Sequence, residues 1–229
     1  MLGLPRTTEL NRRIPKNKFY EKLSVSPETK RLFIDQIKNV IWRNKIASST
    51  ANIAPGEKVT EIEVFEIQLN NKRLDEKVLK LIDEGIPYHI VFILHYEEQI
   101  QIWTSYKEPK KKNDNQSKVT AYYHTDWMQE DEYSVALKGM NLDQAYEDLF
   151  REIAEKNLHG SREETLQESV LRSGEIDSLK RKIEKQQAKV RKEKQFNKKV
   201  QLNDELKKMK AELMRLENGK TTYLSLIHI

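Results

Sequence analysis

The 229 residues include 37% hydrophobic and 34% charged side chains, fewer apolar and more ionic groups than an ordinary soluble domain, so part of the chain needs an extended solvated surface. Cysteine is absent, which removes disulfides, thiolate nucleophiles and cysteine-ligated zinc or iron–sulfur centres; no apolar run approaches the roughly 18–20 residues that span a bilayer, and the polar N-terminus lacks the apolar stretch of a secretory signal. A soluble cytoplasmic protein without membrane contact is expected. The net charge of +5 is local, because residues 180–210 hold 13 Lys or Arg against 4 Asp or Glu and leave the remainder at −4, the pattern of an acidic body with a basic interaction arm.

Residues 1–25 mix basic and turn-forming residues with Phe19, Tyr20 and Leu23, predicting an irregular arm with at most one helical turn, packed back by those side chains. A helix start follows: Ser26 can cap, Pro27 suits the first helical position, and Glu28 favours the positive end of the dipole. Phe33, Ile37, Val40 and Ile41 fall at helical spacing, which carries the predicted helix to about residue 45. The segment ASSTANIAPGEK predicts a loop. Over residues 59–69 the period changes to two, with Phe65, Ile67 and Leu69 on one side and Glu66 and Gln68 on the other, a half-buried strand.

Leu74, Val78, Leu81 and Ile82 mark a short amphipathic helix, stopped by Pro87 and by Gly85, which is free to take a left-handed cap. YHIVFILHY reads as a central strand covered on both faces. QIQIWTSY, separated from it by Glu97 and Glu98 alone, completes a hairpin. KEPKKKNDNQSK is a polar loop and VTAYYHTDW a further strand. Asn141 can cap a helix striped by Leu142, Ala145, Leu149, Phe150 and Ile153, and Gln144 gives it a capping-box-like start. The strand–helix–strand unit should be parallel and right-handed, with the hairpin extending the sheet antiparallel. Residues 26–158 are therefore expected to form a globular α/β (α+β) domain: a mixed sheet with packed helices.

Residues 163–217 contain one glycine, Gly174, and no proline. Ile176, Leu179, Ile183 and Val190 take a and d positions with Gln186 between them, and Leu202, Leu206, Met209, Leu213 and Leu216 resume the pattern. The halves are out of phase, since the first register extends to Val200 rather than Leu202. One long helix with a local supercoil change and an antiparallel helical hairpin both fit; the lack of Gly and Pro favours the long helix. Either way the coiled-coil seam needs a covering helix, from a second copy, the other half of a hairpin, or another protein. Lys182, Lys185, Lys189, Arg191, Lys192, Lys194, Lys198 and Lys199 surround the seam with few acids to balance them, a candidate surface for the phosphates of DNA or RNA without base recognition. Residues 218–229 end in LSLIHI, which resembles translated sequencing adapter, and carry no functional expectation.

Five segments together resemble a bacterial family, domain of unknown function 4391: LPRTTELNRRIPKNKFYEKL, KRLFIDQIKNVIWRNKIA, VFEIQL, LIDEGIPYHIVFIL and EKQFNKKVQLNDELKKMK. The resemblance runs from residue 4 to about 217. It implies an accessory protein found beside helicases and DNA methyltransferases in mobile or defence islands, and it supplies no catalytic residue.

An enzymatic alternative rests on Glu63, Glu66, Asp75 and Glu76. Magnesium-dependent nucleases hold their ion with carboxylates at a sheet edge and polarise the phosphate with a nearby lysine. Here Glu66 is followed by Ile67 and Gln68 in place of the usual Glu-x-Lys, Lys72 comes too late to share its face, and Glu63 and Glu66 should point to opposite sides. His89, His95, His124 and His159 lack metal-ligand spacing, and His124 with Asp126 has no accompanying nucleophile motif. The glycines are too scattered for a phosphate loop, so no cofactor or metal is expected. Trp103, Tyr106, Tyr122, Tyr123 and Trp127 could form a stacking platform flanked by Lys107 and Lys110, Lys111 and Lys112, though a packing layer is the ordinary role of strand aromatics. The expectation is a non-catalytic accessory protein that docks through the coiled coil.

Overall fold

The computed structural model describes residues 3–20, 25–109, 117–134 and 136–218. Leu23, Lys110, Lys111, Lys112 and the end of the chain from residue 219 lie outside them. The chain divides into two compact units, Met1–Asn157 and Leu158–Ile229.

In the first unit a 3-10 turn at Arg6–Thr8 leads into β1 (Glu9–Ile14) and α1 (Asn17–Tyr20), followed by α2 (Pro27–Gln36), β2 (Ile37–Ala47), α3 (Ser48–Ala51), β3 (Glu61–Leu69), α4 (Glu76–Glu84), β4 (His89–Tyr96), β5 (Gln99–Pro109), β6 (Ser117–His124), β7 (Met128–Gln129) and α5 (Leu142–Ala154). The strands form one mixed sheet in the order β1-β2-β3-β4-β5-β6, with β7 paired to β5. Only β3 and β4, joined through α4, run parallel; the other neighbours are antiparallel. The expected strand–helix–strand unit and hairpin are therefore present, and Glu97 takes φ +54° to turn the hairpin.

Tyr122 and Tyr123, consecutive on β6, define the two covered faces. Tyr122 donates to Asp83 on α4, whereas Tyr123 packs edge-on against Phe150 on α5, as strand alternation requires. On the α2/α4 face, Phe33, Val78, Leu79 and Ile82 bury with Ile37, Val40, Phe65, Ile67, Phe92 and Leu94. On the other face the α5 stripe is fully enclosed, and the Tyr146 hydroxyl, on α5, donates to the carbonyl of Ser105 and meets Thr104 Oγ1.

Several expectations for the first unit need correction, including the loop expected at ASSTANIAPGEK, which opens with the helical turn α3. The N-terminal arm is not irregular, because β1 pairs with β2, although the expected helical turn, α1, and the packing of Phe19 and Tyr20 back onto Phe33 are present. The helix begun by Ser26, whose hydroxyl accepts from Thr29 N, stops at Gln36 instead of continuing to residue 45, and residues 37–47 form a strand paired on both sides. Two bulges account for the misleading period. They place Ile37 and Val40 opposite Leu69 and Ile67, and Trp42 and Lys45 opposite Phe65 and Glu63, so same-face residues fall three apart as in a helix. Finally, Gly85 ends α4 with φ −80° and ψ −10°, a right-handed conformation and not a left-handed cap.

The turn-rich segment before β3 is tied to α5. Asp143, the second residue of α5, accepts backbone hydrogen bonds from Glu57 (2.8 Å), Lys58 (3.1 Å) and Val59 (2.7 Å), and Asn141 caps the helix by accepting from Gln144 N. Gly56 is needed because a Cβ there would lie 2.1 Å from Asp143 Oδ1. Asp143→Ala removes three hydrogen bonds to a charged acceptor and is expected to cost about 2 kcal/mol. Gly56→Ala should cost a similar amount in the parent and only partly less in the Asp143→Ala background, where the clash with the carboxylate is gone but the 2.7 Å approach to the backbone nitrogen of residue 143 remains. Urea midpoints of the four proteins measure this coupling.

The second unit is a helical hairpin. Thr165 and Glu168 form a capping box at the start of α6 (Leu166–Lys192), and α7 (Phe196–Glu217) returns antiparallel to it. Lys180 Nζ meets Glu217 Oε1 at 3.0 Å near one end, and Gln186 donates to Glu205 Oε2 at 2.7 Å nearer the other. The single long helix is thus overturned. No glycine is needed, because Glu193 and Gln195 take extended conformations open to any residue and Glu193 Oε1 accepts from Gln195 N. Leu179, Ile183 and Leu206 form the buried seam, with Val190, Met209, Leu213 and Leu216 against it. The change of phase marks two helices that face each other.

Candidate functional site

The four acids of the enzymatic alternative do not converge. Glu63 is 2% exposed and accepts from Trp42 Nε1. Glu66 is buried against Arg43, with Nη1 2.7 Å from Oε2, and His95 Nε2 lies 3.8 Å from Oε1. Asp75 accepts from Lys77 N as the N-cap of α4, and Glu76 is exposed in its first turn. Glu63 lies opposite Lys45 and Glu66 opposite Ile41 on β2; their three-residue separation along unbulged β3 puts them on different faces. Among the described residues no group of three His, Asp or Glu side chains is arranged to hold a metal ion.

Burial and the hydrogen bond with Glu61 push the Glu63 carboxyl up to about 8. Burial would also raise Glu61, but its hydrogen bonds with Glu63 and Lys45 outweigh this and hold it below the ordinary range. The pair therefore keeps one proton, on Glu63. Between the ordinary carboxyl value of 4.5 and about 8 the folded state holds a proton on Glu63 that the unfolded chain has released, so the Glu63 contribution to stability is full below 4.5 and is lost as pH rises through 8; the depressed Glu61 contributes stability that is present above 4.5 and lost as pH falls below it. Glu63→Gln keeps a hydrogen-bonding side chain without the titration. The variant should match the parent near pH 5 and melt at a higher temperature at pH 8 to 9, a comparison read directly by thermal denaturation across pH.

Arg13 donates to Asn39, which donates to Gln68, beside the Arg43–Glu66–His95 group. The helical spacing of residues 37–45 hides this row in the sequence, since it forms only when that segment is a strand. Its members satisfy one another, the ordinary requirement for polar groups on a partly covered sheet.

The aromatic platform also dissolves. Trp103, Tyr122 and His124 pack on the α4 side of the sheet, whereas Tyr106 and Tyr123 pack against Phe150 on the α5 side. His124 Nδ1 meets Gln101 Nε2 and the Thr125 carbonyl, while Asp126 pairs with Lys156. Lys107 does not flank a surface: its side chain is 1% exposed and stands 2.7 Å from the fully buried Asp83 carboxylate. Its three protons serve the carbonyls of Asp83, Ile86 and Tyr88 at 3.3, 3.2 and 2.5 Å. This ammonium occupies the end of α4 that a left-handed glycine would otherwise cap. The same enclosure drives the Tyr122 hydroxyl, which donates to Asp83 Oδ2, above its ordinary range, first by burial and then by the Asp83 charge.

The largest charge imbalance lies where α6 turns into α7. Residues 189–199 carry six cations, Lys189, Arg191, Lys192, Lys194, Lys198 and Lys199, against the single acid Glu193. This balance equals the chain's whole net charge of +5. All six are exposed, and among the described residues none forms an ion pair. Lys182 and Lys185 continue the exposed basic face along α6. Lys198 and Lys199 occupy the first turn of α7, which has no acidic residue; cations at that positive end oppose the helix dipole by about 0.3–1 kcal/mol each. Of the predicted seam residues, Leu202 is half-buried and Ile176 fully buried, whereas Phe196 and Val200 at the tip are exposed, as are Leu171 and Met214 elsewhere on the hairpin.

The family model described as Domain of unknown function (DUF4391) matches residues 2–213. The chain belongs to this family. Membership extends over both units, so the basic hairpin lies within the family region, up to residue 213 of α7. No curated protein and no solved structure matches the chain. No helix among the described residues is long and apolar enough to cross a membrane.

Proposed function

We propose that the protein is a non-catalytic accessory factor that holds nucleic acid electrostatically at the tip of its C-terminal helical hairpin. The supporting observation is the unpaired basic tip, six exposed cations against one acid within eleven residues. A solubilising helix exterior normally intersperses both signs. Here like charges are crowded at a turn and at the unfavourable end of α7, an arrangement that an anionic polymer relieves. Phosphate contact of this kind anchors a strand without reading its sequence. It suits a subunit of a DNA-processing assembly, the setting the family resemblance suggests. The apolar seam is closed by the hairpin's own helices, so the proposed contact is made by the tip and not by the seam.

The test is fluorescence anisotropy of labelled oligonucleotides with the full chain, alongside incubation of the protein with plasmid and magnesium or manganese. Binding should weaken about 100-fold between 50 and 200 mM salt, as four to six neutralised phosphates require, and the plasmid should stay intact. Salt-independent binding would refute the proposal. Plasmid cleavage lost on Glu66→Ala would replace it with the nuclease alternative.

A further inference from the structure

Phe196 is the first residue of α7 and is 77% exposed. The next apolar residue along α7 is Val200, one turn on and 44% exposed. At about 100° per residue, Phe196 lies roughly 120° and Val200 roughly 160° around the helix from the seam's centre. Neither can therefore join the hairpin's own packing. Two more features distinguish this spot from a stray surface phenylalanine. The ring sits at the reversal of the chain, where both helices end, and cations flank it on either side in sequence: Lys192 and Lys194 before it, Lys198 and Lys199 after it.

We infer that Phe196 stacks on an unpaired base, so that the tip prefers single-stranded nucleic acid to duplex. This rests on the nucleic-acid reading of the tip and adds the class of strand. An apolar ring in a cationic field has few suitable occupants. An apolar protein surface offers no charge to the six cations, and a duplex offers phosphates but keeps its base faces stacked. A single strand presents both together, and base-on-aromatic stacking beside backbone-tracking cations is an established physical combination. Stacking tolerates any base, because every base has a π-face.

Full-length parent, Phe196→Ala and Phe196→Trp are titrated into a labelled 20-nucleotide oligothymidylate and a labelled 20-base-pair duplex, each at several salt concentrations. The parent should bind the single strand more tightly. Phe196→Ala should weaken single-strand binding on the order of tenfold, leave duplex binding and the salt slope unchanged, and Phe196→Trp should restore or improve it. Because Phe196 is exposed, circular dichroism should show all three folded alike. Unchanged single-strand affinity in Phe196→Ala, with salt-dependent binding retained, overturns the stacking inference and leaves the electrostatic reading standing. Failure of the parent to bind either probe overturns both. Capture of polyglutamate as tightly as the oligonucleotide would assign the tip to an acidic protein and also overturn the inference.

Discussion

Replacing Lys107 with Met is expected to destabilise the globular unit by about 3–5 kcal/mol, the loss typical when one partner of a buried ion pair is removed. Lys107 and Asp83 have side chains 1% and 0% exposed, 2.7 Å apart. Without the ammonium, Asp83 keeps only the Tyr122 hydroxyl as a hydrogen-bond donor to its carboxylate, and the carbonyls of Asp83, Ile86 and Tyr88 lose their common donor. An enclosed carboxylate with so little support has to take up a proton or admit water, and each response disrupts the end of α4. The expected loss is a large share of the 5–15 kcal/mol that holds a domain together. Asp83→Asn should also be strongly destabilising. The double variant Lys107→Met/Asp83→Asn should lose less than the sum of the two, since no charge is left buried alone. Urea denaturation of the four proteins gives the coupling directly, and additive losses would show that the two charges do not stabilise each other.

The second large effect concerns binding. Changing Lys189, Arg191, Lys192, Lys194, Lys198 and Lys199 together to Gln should lower single-strand affinity at 50 mM salt at least about 100-fold and flatten its salt dependence, because the slope counts the counterions that these side chains displace. The same six changes should leave the melting temperature unchanged or raise it slightly. They relieve repulsion among the six and remove two cations from the positive end of α7, which offsets the loss of Lys189, Arg191 and Lys192 from the negative end of α6, while the seam residues Leu179, Ile183 and Leu206 are untouched. Loss of binding with retained stability separates a functional charge cluster from one that keeps the hairpin folded. Equal affinity before and after would remove the tip from the binding surface.

Much of the fold was legible because its signals were local. Ser26 and Asn141 cap the helices they announce, and the apolar run from His89 is a central strand beside an antiparallel partner. The failures arose where a local pattern had two physical solutions. Bulges gave β2 a helical spacing, and that one error concealed the polar row of Arg13, Asn39, Arg43, Glu66, Gln68 and His95, which exists only when β2 lies between β1 and β3. Lys107 resembles a surface cation in sequence; its burial depends on Asp83, 24 residues away, and no spacing rule connects the two.

The arm shows the same limit. Its seam residues were readable from their period, but the phase break at the turn did not distinguish one helix from two. The turn used extended backbone at Glu193 and Gln195 instead of Gly or Pro. Once the reversal is known, Gln186 ceases to be a defect in a heptad and becomes a cross-helix donor to Glu205. The basic residues were visible in composition alone. What composition could not supply was their gathering at an uncovered turn beside Phe196, and the proposed function depends on that gathering.

The most direct measurement is lysine footprinting by mass spectrometry, in which a limiting amine-acylating reagent labels the full chain with and without a 20-nucleotide single strand at low salt. The account predicts slowed acylation at Lys189, Lys192, Lys194, Lys198 and Lys199, with unchanged rates at the exposed Lys77, Lys80 and Lys138 of the globular unit. Protection confined to the globular unit, or no protection while the strand is bound, would contradict it.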